Sequence, residues 1–266
     1  MDGQVSKHIK NEWEIIQEGY SSFFKTDSIN LEKSYYRFMS EESFDYILKG
    51  QFRLNNPIRW KDPFEKIMVE GNYDKLEYKK PATYAACFTK LSNSEAHWRM
   101  YTNEKQICVR VEFDMENFIG ALMLGGAEHF FIGNVSYDLL ERSIKAIGSK
   151  RSKYHKIAIP ENFMDNDYVD LLLLKRPAFK WEEETRIVIL NKDKQNDFCN
   201  LSYNSEMAKT FIKSIQISPL TSDEEVERLR NKYFDIWQNL KGRGYDFNFS
   251  KSKLYNPIEE SIVFEK

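Results

Sequence analysis

Apolar and polar positions along this chain alternate in short blocks, and few stretches hold one period for long. Residues 106–114 are the clearest: Ile107, Val109, Val111 and Phe113 project one way, while Cys108, Arg110, Glu112 and Asp114 project the other. That period of two predicts a half-buried strand. Shorter β-branched or aromatic runs predict strands at 35–38, 52–54, 84–89, 130–137 and 212–218, the last stopped by Pro219, with a final short strand at 261–264. Helical spacing is found over 41–49, where Ser40 is placed to cap and Gly50 to stop the helix. It recurs around His97, Trp98 and Tyr101 behind Asn93 or Ser94, and over 115–124, 139–147 and 166–175. Residues 223–241 form a long helix in this reading, with Ser222 as cap and acidic residues in the first turn, where the helix dipole favours them. Trp13, Ile15, Ile16, Tyr20, Phe23 and Phe24 predict a lead-in helix over 9–24. Residues 55–65 carry two prolines and read as an ordered loop, and 148–154 as a basic one.

The fold class expected from this pattern is α+β, a single domain of short, mostly antiparallel strands with interspersed helices. Its parts would be a lead-in helix within 1–30, a core over 33–220, and a C-terminal helix and tail over 221–266.

The stretch 179–190 is the most informative. Four consecutive aliphatic residues, Ile187 to Leu190, predict a buried strand. If the strand extends back through the acidic run, alternation puts Glu182, Glu184 and Arg186 on one face and Trp181, Glu183 and Thr185 on the other. Such carboxylates are either solvated or placed for chemistry.

Composition narrows the choice. The 41 acidic and 39 basic residues leave a net charge of −2, so no global basic field points to nucleic acid. No apolar run approaches the ~20 residues a membrane span needs, and the first eight residues lack a signal-peptide core. Cys87, Cys108 and Cys199 are far apart and form no Cys-x-x-Cys clip. These features predict a cytoplasmic protein without a membrane partner. The four histidines show no metal-ligand spacing, so no metal is expected. Neither a Gly-x-Ser-x-Gly elbow nor a glycine-rich phosphate loop occurs.

What remains is a set of polar residues beside aromatics on or near short strands: Arg37 next to Tyr36, Thr89 after Cys-Phe, His97-Trp98 with Tyr101, and Glu182-x-Glu184. Each alone has an ordinary structural role: a surface ion pair for Arg37, a plain strand position for Thr89, core stacking for Trp98 and Tyr101 at i and i+3. Asp62 and Glu65 would cap and hold their loop.

Taken in order, Tyr-Tyr-Arg at 35–37, Asp62-Pro-Phe-Glu65, Cys87-Phe-Thr, Trp98-x-x-Tyr101, Glu112-Phe-Asp114, Lys175 and Glu182-x-Glu184-x-Arg186 resemble the bacterial family called domain of unknown function 2971. The resemblance covers about residues 33–220. Thr89 stands where that family usually has serine, and Lys105-Gln106 where it usually has a glycine. The order is also similar, more distantly, to NAD-dependent ADP-ribosyltransferases. That likeness implies a split sheet, NAD as cofactor, and transfer of ADP-ribose to a macromolecular acceptor, protein or nucleic acid. It implies Glu184 as the catalytic carboxylate with Glu182 as its accessory. Arg37, Tyr36, Thr89, Trp98 and Tyr101 would be the cofactor-binding residues. A bacterial toxin or phage-defence effector, with an antitoxin as a further partner, is the role such a likeness implies. The chemistry suits these residue types. A carboxylate stabilises oxocarbenium-like charge when the nicotinamide–ribose bond breaks, and a planar guanidinium grips phosphates bidentately. Two alternatives stand beside this reading: a binding domain with the same fold and no catalysis, and a metal-dependent protein acting on nucleic acid.

Overall fold

The computed structural model describes residues 13–18, 21–26, 28–71, 73, 77–101, 107–125, 129–137, 162–191 and 196–256. These build strands β1 (Trp13–Glu18), β2 (Ser21–Thr26), β3 (Ser34–Ser40), β4 (Gln51–Asn55), β5 (Ala82–Thr89), β6 (Cys108–Asp114), β7 (His129–Asn134), β8 (Glu184–Asn191), β9 (Phe198–Ser202), β10 (Ile212–Ile217) and β11 (Phe249–Lys251). The helices, numbered in chain order, are α1 (Glu41–Leu48), α2 (Pro63–Glu70), α3 (Glu95–Tyr101), α4 (Met115–Leu124), α5 (Asp165–Leu172), α6 (Ala208–Phe211) and α7 (Asp223–Asn239).

All the strands join one sheet in the order β1-β2-β7-β8-β5-β3-β6-β10-β11, with β4 and β9 branching from β5. The pairs β2–β7 and β10–β11 are parallel and the others antiparallel, so the mixed α+β class expected from the sequence holds. The branch has a local cause. β5 pairs with β4 at Ala85 and with β3 at Tyr36↔Thr89, so its partner changes part-way along and the sheet forks there.

Alternation sorts side chains onto two faces. Phe88, Val109, Val111, Phe113, Ile187 and Ile215 enter the larger core with α1, α4, α6 and α7. Ala85 and Val188 enter a second core, where Phe64 and Met68 of α2 meet Tyr168 and Leu172 of α5. Several predicted local signals are present as bonds. Ser40 and Ser222 accept backbone N–H groups at the starts of α1 and α7. Gly50 ends α1 at φ +78°, where a Cβ would lie 2.3 Å from the Tyr203 carbonyl oxygen.

Some expectations change. The lead-in helix over 9–24 is instead the hairpin β1–β2, whose register sets Ile16 opposite Phe23 and Ile15 opposite Phe24. Phe23 then packs on Phe130 and Phe24 on Phe131, one on each face of the sheet. Tertiary pairing to β7 decides between periods that a short aromatic run leaves open. The proline-rich stretch 55–65 is not all loop, because Asp62 caps and Pro63 opens α2. β9 and β11 carry no strong pattern and are held by pairing with β4 and β10. The predicted helix 139–147, basic loop 148–154 and strand 261–264 lie outside the described residues.

Candidate functional site

β8 is shorter than alternation predicts. Residues Pro177–Glu182 form a 3-10 turn, and Glu183 adopts a left-handed conformation (φ 42°, ψ 50°) before the strand begins at Glu184. Glu182 is therefore not a strand residue. It is brought beside Glu184 by the turn, whose carbonyl at Glu182 accepts the Thr89 hydroxyl at 2.6 Å. Thr89 also accepts the Leu91 N–H at 3.1 Å. Its hydroxyl thus helps to hold the turn.

Lys175 joins the two carboxylates. Its Nζ donates to Glu182 Oε2 at 2.5 Å and to Glu184 Oε2 at 2.9 Å. It is delivered by α5 and fixed by its backbone N–H to the Ser136 carbonyl, 3.0 Å. Arg186, two positions along β8, donates to Glu184 Oε1 from Nε at 2.8 Å and to Oε2 from Nη2 at 3.0 Å. It also bonds Glu65 of α2 and the Leu172 carbonyl at the end of α5. Its guanidinium stacks 4.0 Å from the centre of the Trp60 ring. Asp62, besides capping α2, pairs with Arg176 at 2.8 Å. Asp62-Pro-Phe-Glu65 and Glu182-x-Glu184-x-Arg186, distant in sequence, form one buried assembly.

Its charges do not cancel. Glu65, Glu182 and Glu184 supply three carboxylates and Lys175 and Arg186 two cations, so the fully ionised cluster carries −1. Glu184 is 5% exposed. Burial opposes its charge, but Arg186 and then Lys175 outweigh that and hold the carboxyl well below the usual range. Burial likewise opposes the Lys175 ammonium, and Glu184 overcomes it, holding the pKa above the ordinary value. Glu182 is left with the surplus. Burial pushes its carboxyl up to about 7, with Glu184 adding to the shift and Lys175 opposing it.

Around these carboxylates stand several groups that sequence patterning places only in part. The His97 ring stacks on Phe38 (4.9 Å) and meets Trp181 edge-on (5.2 Å). Burial pulls its pKa down to about 4, so the imidazole is neutral near pH 7. Tyr137 accepts the Glu184 backbone N–H at 2.9 Å. Burial raises the Cys87 thiol far above its usual value, and neighbouring Glu184 raises it further. The thiolate that a nucleophile needs is therefore disfavoured at Cys87. Tyr101 and Trp181, 40% and 39% exposed, are the accessible aromatics of this set. Burial of the hydroxyl end lifts the Tyr101 pKa to about 12; Cys87, Glu184 and Glu182 push the same way and Arg37 opposes.

The predicted residues thus divide. Lys175 brings Glu182 and Glu184 together, and Tyr101 feels the charges of both glutamates and of Arg37. Trp98 does not belong with them. It is fully buried edge-on against Phe38, and its indole N–H goes to Asn93 Oδ1 at 3.3 Å, which makes it core. Tyr36 lies under the Arg110 guanidinium at 4.9 Å and feels the charge of Glu112. Trp181, next to Glu182 in the turn, meets His97 edge-on, and its lone position in a charged turn gives no periodic signal. Among the described residues no group of three or more His, Cys, Asp and Glu could hold a metal ion.

The chain matches no family model, no curated protein and no solved structure. No described helix is long and apolar enough to cross a membrane.

Proposed function

We propose that the protein is an NAD-dependent ADP-ribosyltransferase-like enzyme that transfers ADP-ribose to a macromolecular acceptor. The observation that carries the proposal is the pair of carboxylates bridged by Lys175 whose surroundings shift their acidities in opposite directions. Glu184 is held as an anion by Arg186 and Lys175, while Glu182 titrates near neutrality. Pairs whose environments drive their pKa values apart are the usual sign of divided acid–base roles.

In this reading Glu184 is the fixed negative charge facing the anomeric carbon as the nicotinamide leaves and positive charge develops on the ribose. Glu182 removes the proton from the acceptor nucleophile, a task suited to a base with a pKa near the working pH. Tyr101 and Trp181 offer aromatic faces to a planar ring. Arg37, whose charge reaches the same Tyr101 phenol, would bind the dinucleotide phosphates. All the strands belong to one sheet that branches at β5, rather than to the split sheet that the family resemblance implies. A bacterial toxin or defence effector is the role consistent with this activity, and a neutralising antitoxin would be its natural partner.

A second reading has its own observation. Both Glu184 oxygens are engaged by cations, as in a structural bridge, which suits a nucleotide- or partner-binding domain without turnover. Incubation with adenylate-labelled NAD and cell lysate separates the two. The transferase should label a macromolecule and release nicotinamide in step. A folded protein that binds NAD yet releases no nicotinamide and labels nothing sinks the proposal in favour of the binding domain.

A further inference from the structure

The β3–α1–β4 unit borders an open cavity of about 60 Å³ whose walls include Arg37, Ser43, Tyr46, Phe52, Arg53 and Asn55. None of Lys175, Glu182 and Glu184 lines it. Arg37 reaches into the fork and donates to the Cys87 carbonyl at 3.2 Å, with its guanidinium 5.2 Å from the Phe52 ring and 5.5 Å from Phe88. Arg53 comes from β4. It lies against two rings, Tyr46 at 5.2 Å and Phe198 at 4.3 Å, and donates to Asn200 Oδ1 at 3.3 Å.

Neither arginine has a carboxylate ion pair among the described residues; Arg110 and Arg243 have none either, but neither of those lines the cavity. A cation withdrawn from water without a counter-charge is costly, and burial pulls the Arg37 pKa down. Between them the two side chains leave several N–H donors uncommitted. The rings fix both guanidinium planes, as a bidentate oxyanion ligand requires. On this measure one water needs about 10–15 Å³, so the cavity has room for a small tetrahedral oxyanion. Ser43 and Asn55 add neutral hydrogen-bonding groups to its wall.

We infer that this pocket is a phosphate-group site, with Arg37 and Arg53 as its two guanidinium ligands. Under the transferase reading it would seat one phosphate of the dinucleotide, but it stands on its own geometry and requires no chemistry at the glutamates. Arg53 is exposed, so Arg53→Gln leaves the core untouched, and a thermal melt checks that it does. Calorimetric titration of the full chain with inorganic pyrophosphate at low ionic strength should show saturable one-to-one binding. Arg53→Gln should weaken it by about tenfold or more, and the charge-matched surface variant Arg59→Gln should leave it unchanged. No saturable binding to the wild type, or equal weakening by both variants, overturns the site. ADP carries the same diphosphate on a nucleoside. If it binds more tightly than pyrophosphate and is equally sensitive to Arg53→Gln, the site is supported and its ligand is a nucleotide. Equal affinity supports it as a free-anion site. The titration reads no transfer, so it and the labelling assay fail independently.

Discussion

Replacing Glu182 by glutamine is expected to cut ADP-ribose transfer by about 10²–10⁴-fold, the usual contribution of a positioned acid–base group. Stability should change by only about 1 kcal/mol, because the amide oxygen still accepts from Lys175. The variant separates the two functional readings better than Glu184→Gln does. Glu184 has both oxygens ion-paired in the buried cluster, so its loss would disturb fold and activity together. The pH dependence supplies a second readout. The wild-type rate should rise with pH through an apparent pKa near 7 as Glu182 becomes the base, and that rise should vanish in Glu182→Gln. Stability runs the other way. The folded-state pKa of Glu182 is raised from 4.5 to about 7, so the native form binds more protons in that window and stability declines as pH rises through it. Melting temperatures recorded from pH 4.5 to 7.5 should show a shallower decline in the variant. A variant with full transfer activity and an unchanged pH–rate profile would remove Glu182 from the mechanism.

The largest stability effect is expected at Arg186. Arg186→Met keeps much of the side-chain length but leaves Glu65 without its partner and strips Glu184 of one of its two cations. Breaking a buried ion pair from one side costs about 3–5 kcal/mol, equivalent in a chain of this size to a fall in Tm on the order of 10 °C. Arg186→Lys should recover only part of this. An ammonium cannot serve Glu65, both Glu184 oxygens and the Leu172 carbonyl together. The sign of the pH dependence follows from Glu184. Its folded pKa is depressed, so its contribution is present above the unfolded value near 4.5 and is lost as pH falls below it. The gap in Tm between wild type and Arg186→Met should accordingly narrow on acidification. A gap that is small at pH 7, or one that widens in acid, would show that the cluster does not stabilise the fold in this way.

Much of this arrangement is legible in the sequence where a period and a cap agree. The α4 boundaries, the Ser222 cap of α7 and the alternation of β6 follow from local patterning. The β1–β2 hairpin does not. Its aromatic residues fit either period, and pairing with β7 decides between them. For the site, Glu182, Glu184 and Arg186 stand out as a motif, but alternation alone gives the wrong mechanism for their convergence. The left-handed Glu183 and the turn before it bring Glu182 to Lys175, and no period encodes that. For Trp98 the i, i+3 spacing with Tyr101 points correctly to core packing, and it is the resemblance that assigns it to a cofactor. The link between Glu65 and Arg186 spans 121 positions and is visible only once the chain is folded.

The odd charge of the cluster has a consequence for ligand exchange. Three carboxylates share two cations, so a neutral resting state is reached by keeping one proton on Glu182. A positively charged ring entering beside Glu182, as the pyridinium of NAD would, makes that proton superfluous. Binding of such a ligand is therefore an exchange, cation in and proton out. Its affinity rises with pH until Glu182 is already ionised, and its measured heat varies with the buffer that receives the proton. A neutral ligand in the same place displaces nothing.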